Sequence, residues 1–86
     1  MSRRDILLQI YEGEDILTAD GFDEAILGID ESSMRVIYSI AKCINILMSR
    51  DEMTEEEALE YIAYNMQGAY VGEQTPIWCA DYSFIN

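Results

Sequence analysis

Histidine is absent from this 86-residue chain. The commonest general base and the commonest zinc ligand are therefore missing. The two cysteines, Cys43 and Cys79, have no CxxC spacing and do not make a zinc site. Each lies in an apolar run, so both are expected as buried free thiols. No apolar run approaches the roughly 20 residues of a membrane span. The longest are short, such as Ile6-Leu7-Leu8 and Ala25-Ile26-Leu27. The start, Met1-Ser2-Arg3-Arg4, is basic, but the acids Asp5, Glu12, Glu14 and Asp15 break up the segment after it. No signal peptide is expected, and a reducing cytosol is the expected setting. Neither GxxxxGK nor GxGxxG occurs, so no phosphate-cradling loop is in view. The one GxxxG, Gly68 to Gly72, encloses Tyr70 and falls at a helix end.

Bases are scarce as well. Seventeen acids face five bases, for a formal net charge of -12. Residues 12–31 hold Glu12, Glu14, Asp15, Asp20, Asp23, Glu24, Asp30 and Glu31 and no base, and no Lys or Arg occurs beyond Arg50. Such a field repels nucleic acid and anionic membrane and attracts basic protein surfaces, over a Debye length of about 8 Å at physiological salt. Solubility alone is the competing explanation. Half of the residues are hydrophobic, which argues against a disordered acidic tail. The length suits one domain, residues 1–86. A domain of this size buries about 60–65 % of its unfolded surface, which leaves little room for a deep substrate cavity.

Local patterns give the order α-β-β-α-α-β, an α+β fold. Ile6, Leu7, Ile10 and Tyr11 make the apolar stripe of a helix over 3–11, capped by Ser2 and stopped near Gly13. Residues 25–29 and 34–38 read as strands joined by the turn formers Asp30-Glu31-Ser32-Ser33, an antiparallel hairpin. Residues 39–50 read as a helix capped by Ser39, with Ile40, Cys43, Ile44, Leu47 and Met48 on its buried side. Ile46 falls opposite and is expected to be covered too. Thr54-Glu55-Glu56-Glu57 is a capping box, with the glutamates at the positive end of the helix dipole. That helix is expected to run to about Met66, stop at Gly68, and bury Ala58, Leu59, Ile62, Ala63 and Met66. The linker 51–53 is short, so the two helices should pack antiparallel. Residues 75–80 read as a third strand, with Pro76 at its start or on a sheet edge.

Catalytic and metal chemistry find little to work with. Setting Gly21 at position 6 of an EF-hand loop puts Ile16 at position 1 and Leu27 at position 12, so both key carboxylates are missing. Among so many acids, close carboxylate pairs arise by chance, and no segment builds a pocket around them. No enzyme activity, cofactor or metal site is expected.

On a helical wheel for 55–66, the face opposite the core stripe holds Glu56, Glu57, Glu60, Tyr61 and Tyr64. Glu56 and Glu60 stand at i, i+4, where like charges cost a few tenths of a kcal/mol. Tyrosines among carboxylates suit protein recognition. The competing reading lays Tyr61 or Tyr64 over the sheet or the other helix. With Asp20, Asp23 and Glu24 from the base-free segment, these residues are the candidate partner-binding set.

Several strings occur in combination: Asp20-Gly21-Phe22-Asp23-Glu24-Ala25-Ile26, Tyr38-Ser39 with Lys42-Cys43-Ile44 and Ile46-Leu47-Met48, and Glu56-Glu57-Ala58 with Glu60-Tyr61. After them come Tyr64-Asn65 and Gly68-Ala69-Tyr70-Val71-Gly72-Glu73-Gln74-Thr75-Pro76-Ile77-Trp78. Over about residues 20–80 the chain resembles a group of small, acidic, uncharacterised tailed-bacteriophage proteins, most distinctively at Tyr64–Trp78. The resemblance carries over no catalytic residue. It implies a phage-infected bacterial cytoplasm, where small proteins often block host enzymes. In size and charge alone the chain is similar to phage inhibitors of nucleases and of uracil-DNA glycosylase, an analogy of kind only. The expected function is inhibition of a basic host nucleic-acid enzyme of defence or repair by DNA mimicry. Direct nucleic-acid or membrane contact is not expected, and the protein is expected as a monomer or homodimer. The alternative is a structural or assembly-associated phage protein with no inhibitory role.

Overall fold

The computed structural model describes residues 2–81. Helix α1 spans Arg3–Ile10 and begins with a capping box that the sequence shows only in part. Ser2 Oγ accepts from the Asp5 N–H at 3.1 Å, and the Asp5 carboxylate accepts from the Ser2 N–H. The expected stripe on α1 is corrected, because Leu7 alone is buried while Ile6 and Ile10 are exposed. The helix packs chiefly on β1 and the turn preceding it, so one residue per two turns reaches the core.

A single 3₁₀ turn, Asp23–Ala25, precedes the sheet. It takes Ala25 out of the expected first strand and into the core, beside Phe22. Strand β1 is Ile26–Asp30 and β2 is Arg35–Ser39, paired antiparallel. A bulge at Leu27 interrupts the register between Ile26 and Gly28. Strict alternation would send Ile26 and Ile29 to opposite faces. The extra residue puts Ile26 opposite Tyr38 and Ile29 opposite Val36, both buried, and turns Leu27 outward. The Asp30 carboxylate ties the hairpin loop by accepting from Ser32 Oγ, the Ser32 N–H and Ser33 Oγ. These bonds hold its pKa below the usual aspartate value.

Helix α2, Ile40–Arg50, starts directly from β2. Buried Ser39 serves both sides of that junction. Its Oγ accepts from the Lys42 N–H at 3.0 Å and donates to Asp81 Oδ1 at 2.7 Å. Cys43 and Leu47 are buried, and Ile40, Ile44 and Ile46 pack on the core as partly buried residues. Helix α3, Glu55–Ile62, packs on α2. Its capping box is as expected, with Glu57 N–H on Thr54 Oγ1 at 3.1 Å and Thr54 N–H on Glu57 Oε1 at 2.9 Å. A π-helical turn over Ala63–Gln67 continues it. Ala58, Ile62 and Met66 are buried, whereas Leu59 and Ala63 are exposed, against expectation. The buried stripe is one residue wide, because α3 packs mainly on α2.

Strand β3, Ile77–Cys79, comes directly after Pro76 and joins the edge of β2 in parallel, giving the order β1-β2-β3. Parallel pairing needs a crossover, and α2 with α3 supplies it. Trp78 stacks on Tyr38 with ring centroids 5.0 Å apart. The described residues form one core on a three-stranded mixed sheet with helices, an α+β domain. Among the described residues, no helix is long and apolar enough to cross a membrane.

Candidate functional site

The base-free acidic segment does not stay base-free in three dimensions. Arg4 on α1 reaches Asp20 at 3.4 Å and Asp23 at 3.8 Å. Arg3 Nη1 donates to the Glu24 and Ile26 carbonyls at 3.0 and 2.8 Å. Arg50 Nη1 donates to the Gly21 carbonyl, and its guanidinium lies 5.1 Å from the Phe22 ring centre. Three of the five bases therefore gather around residues 20–26. Asp20 remains well exposed, but Asp23 is largely covered, and its Oδ1 is buried without a hydrogen bond. These acids sit in a locally compensated field, and Asp23 is poorly placed to touch a partner. Glu24 is exposed.

The face on α3 is different. Glu56, Glu57, Glu60, Tyr61 and Tyr64 are all exposed, and Tyr64 is 82 % exposed. Tyr64 projects from the fold, whereas Tyr61 is only 36 % exposed. Among the described residues, no ion pair engages any of these glutamates. Glu57 differs from Glu56 and Glu60, because its carboxylate closes the capping box. It adds charge to the face while holding the helix start. Met53, Glu57, Glu60, Tyr61, Tyr64 and Asn65 line a shallow depression of about 340 Å³.

A second depression, which the sequence does not single out, adjoins the first at Asn65. Its volume is about 390 Å³ and its lining is mainly apolar. Phe22, Met66 and Trp78 stand among its walls, with residues 17–19 on one flank and Ala69, Val71 and Pro76 on another. Local bonds hold both flanks. The Ala19 N–H donates to Tyr38 Oη at 2.7 Å. The Val71 N–H donates to Thr75 Oγ1 at 2.9 Å, and Thr75 Oγ1 donates to the Gly72 carbonyl. The π turn shapes the boundary between the depressions. It keeps Met66 in the core and leaves Asn65 at the surface, with Asn65 Nδ2 on the Tyr61 carbonyl at 3.2 Å. At Gly68 an added Cβ would sit 3.3 Å from the Ala63 carbonyl oxygen. Turns of this kind recur at functional sites. The signal in the sequence is present in pieces, as Gly68 and as the apolar residues of 69–78, but nothing local joins them to Leu17 and Phe22.

Cys43 is buried, and that burial pushes its thiol up to about 12, far from nucleophilic use. Cys79 is a half-buried free thiol rather than a fully buried one. Among the described residues, no group of three or more His, Cys, Asp or Glu is placed to hold a metal ion. No family model, curated protein or solved structure matches the chain.

Proposed function

We propose that the chain is a phage-encoded accessory protein that binds and inhibits a basic host nucleic-acid enzyme, with the carboxylates of α3 standing in for phosphates. The observation that carries this reading is the uncompensated glutamate face of one helix. Glu56, Glu57 and Glu60 fall within five residues, about 7.5 Å of helix axis at 1.5 Å per residue. That is roughly one charge per 2.5 Å, against about 1.7 Å of axis per charge in duplex DNA. The 20–24 segment contributes less, because arginines from α1 and α2 lie against it. Tyr61 and Tyr64 add the aromatic anchors that protein interfaces favour. The phage setting rests on the sequence resemblance alone.

The test begins with capture from bacterial lysate at low and high salt and identification of the bound protein. Duplex DNA should compete with the chain for that protein, and association should slow as salt rises. Charge reversal at Glu56 and Glu60 together should weaken binding by tenfold or more while changing stability within about 0.5 kcal/mol. A captured protein without a nucleic-acid site, or binding lost only through Tyr61→Ala and Tyr64→Ala with no DNA competition, would end the mimicry reading.

A further inference from the structure

We propose that the apolar depression beside α3 seats an apolar side chain from a basic amphipathic helix of the partner protein, while that helix's cations lie against Glu56 and Glu60. The proposal rests on the acidic-face reading above and names the partner element that fits it. Three observations carry it. The first is that the depression is held open by local bonds: Tyr38 Oη fixes Ala19 on one flank and Thr75 Oγ1 fixes Val71 on the other. Preorganisation of this kind lowers the ordering cost of binding. Leu17 and Val71 are exposed at its rim, Val71 by 59 %.

The second observation is an unsatisfied donor. Trp78 lines the depression, and its Nε1 is buried without a hydrogen-bond partner. Buried indole N–H groups are normally paired. Because that N–H is already shut off from solvent, an apolar occupant strips water from no polar group on this wall.

The third observation is charge complementarity. Asn65 belongs to both depressions, so the apolar seat and the Glu60–Tyr64 surface are continuous. Glu60 precedes Asn65 by five residues, about 7.5 Å of helix axis. A partner helix repeats its faces every 5.4 Å or so, and it can seat an apolar residue while placing Lys or Arg about one and a half turns away against Glu60 and about two and a half turns away against Glu56. A neutral or acidic helix would lack that second contact or meet repulsion.

Trp78 is the single tryptophan of the chain, so its indole N–H gives one unambiguous resonance. The full chain, labelled with nitrogen-15, is titrated with an 18-residue amphipathic peptide carrying Leu and Phe on one face and Lys and Arg on the other. Two control peptides keep the apolar face with a Gln face, or keep the cations with an Ala face. The proposal expects the first peptide to shift the indole resonance together with the Asn65 and Glu60 amides. Both controls should bind at least tenfold more weakly. Ala69→Glu and Val71→Glu, at exposed positions, should each abolish the indole shift in a folded chain. Glu56→Lys with Glu60→Lys should weaken the first peptide tenfold or more.

Several results would overturn the proposal. If the peptide moves the Glu60 and Tyr64 amides but not the indole, the seat is empty of partner, while the acidic-face reading stands. If the Gln-faced peptide binds as tightly as the basic one, the occupant is not basic, and the acidic face loses its part in recognition. An indole resonance that depends on protein concentration assigns the depression to a second copy. One that moves on Phe84→Ser or Ile85→Ser before any peptide is added assigns it to the chain's own residues 82–86.

Discussion

Replacing Tyr38 with phenylalanine isolates one bond that connects the core to the candidate surface. Tyr38 is fully buried on the central strand, and its Oη accepts from the Ala19 N–H at 2.7 Å. Ala19 belongs to the stretch between α1 and the 3₁₀ turn, which has little regular hydrogen bonding of its own. Tyr38→Phe keeps the ring, its burial and its stack on Trp78, so the hydrophobic contribution nearly cancels. The loss is the acceptor for a part-buried donor. An unpaired buried donor costs about 1–3 kcal/mol. Water can partly reach Ala19, so the lower half of that range, about 1–2 kcal/mol, is expected. For a domain of this size each kcal/mol shifts Tm by roughly 4–8 °C, which gives a fall of roughly 4–16 °C. Urea denaturation should show a lower midpoint with an unchanged slope. Amide exchange at Ala19 should accelerate more than at Leu47 in the core. A stability loss under about 0.3 kcal/mol, or an unchanged Ala19 exchange rate, would refute the assignment of this bond as the anchor of that flank.

Thr54→Ala removes the acceptor for the Glu57 N–H and should cost about 1 kcal/mol by chemical denaturation, with peptide binding retained in the folded chain. Gly21→Ala should cost more than about 1 kcal/mol, because Gly21 has φ +87° and its added Cβ would lie 2.7 Å from Arg50 Nη1; the mutant Tm reads this directly. Cys43 should react with a thiol reagent at pH 8 only after unfolding, because burial lifts its pKa to about 12. Burial also raises the Tyr38 phenol above its ordinary 10.0. The folded state therefore holds protons that the unfolded chain releases from about pH 9 upward. This contribution to stability is complete below that pH and is lost as pH rises toward 12, and Cys43→Ala should flatten the decline in urea midpoint between pH 9 and 11.

The bonds tested at Thr54 and Tyr38 mark the two sides of what the sequence could disclose. The capping boxes, the hairpin loop at Asp30, the Ser39 cap and the stop of β1 and β2 within a residue of expectation are local. Each depends on side chains two or three positions apart, so the order of elements and the α+β class are set by the chain itself. The glutamate face of α3 is local too, since helical spacing alone puts Glu56, Glu60 and Tyr64 on one side. Its exposure required the tertiary structure, because Leu59 and Ala63 carry the same apolar signature as Ala58 and Ile62 yet meet no partner element. The stripe on α1 fails for the same reason at Ile6 and Ile10.

Charge shows the limit most clearly. Along the chain, residues 12–31 are base-free, but electrostatics acts through space, and Arg3, Arg4 and Arg50 fold against residues 20–26. The bulge at Leu27 and the parallel docking of β3 on β2 are likewise set by which faces must be buried together. The apolar seat exists only because β3 brings Trp78 beside Met66, Phe22 and Leu17, four residues from three separate stretches. Periodicity and capping are short-range and can be read from the sequence. Burial and charge compensation are sums over neighbours in space, and only the folded chain fixes who those neighbours are.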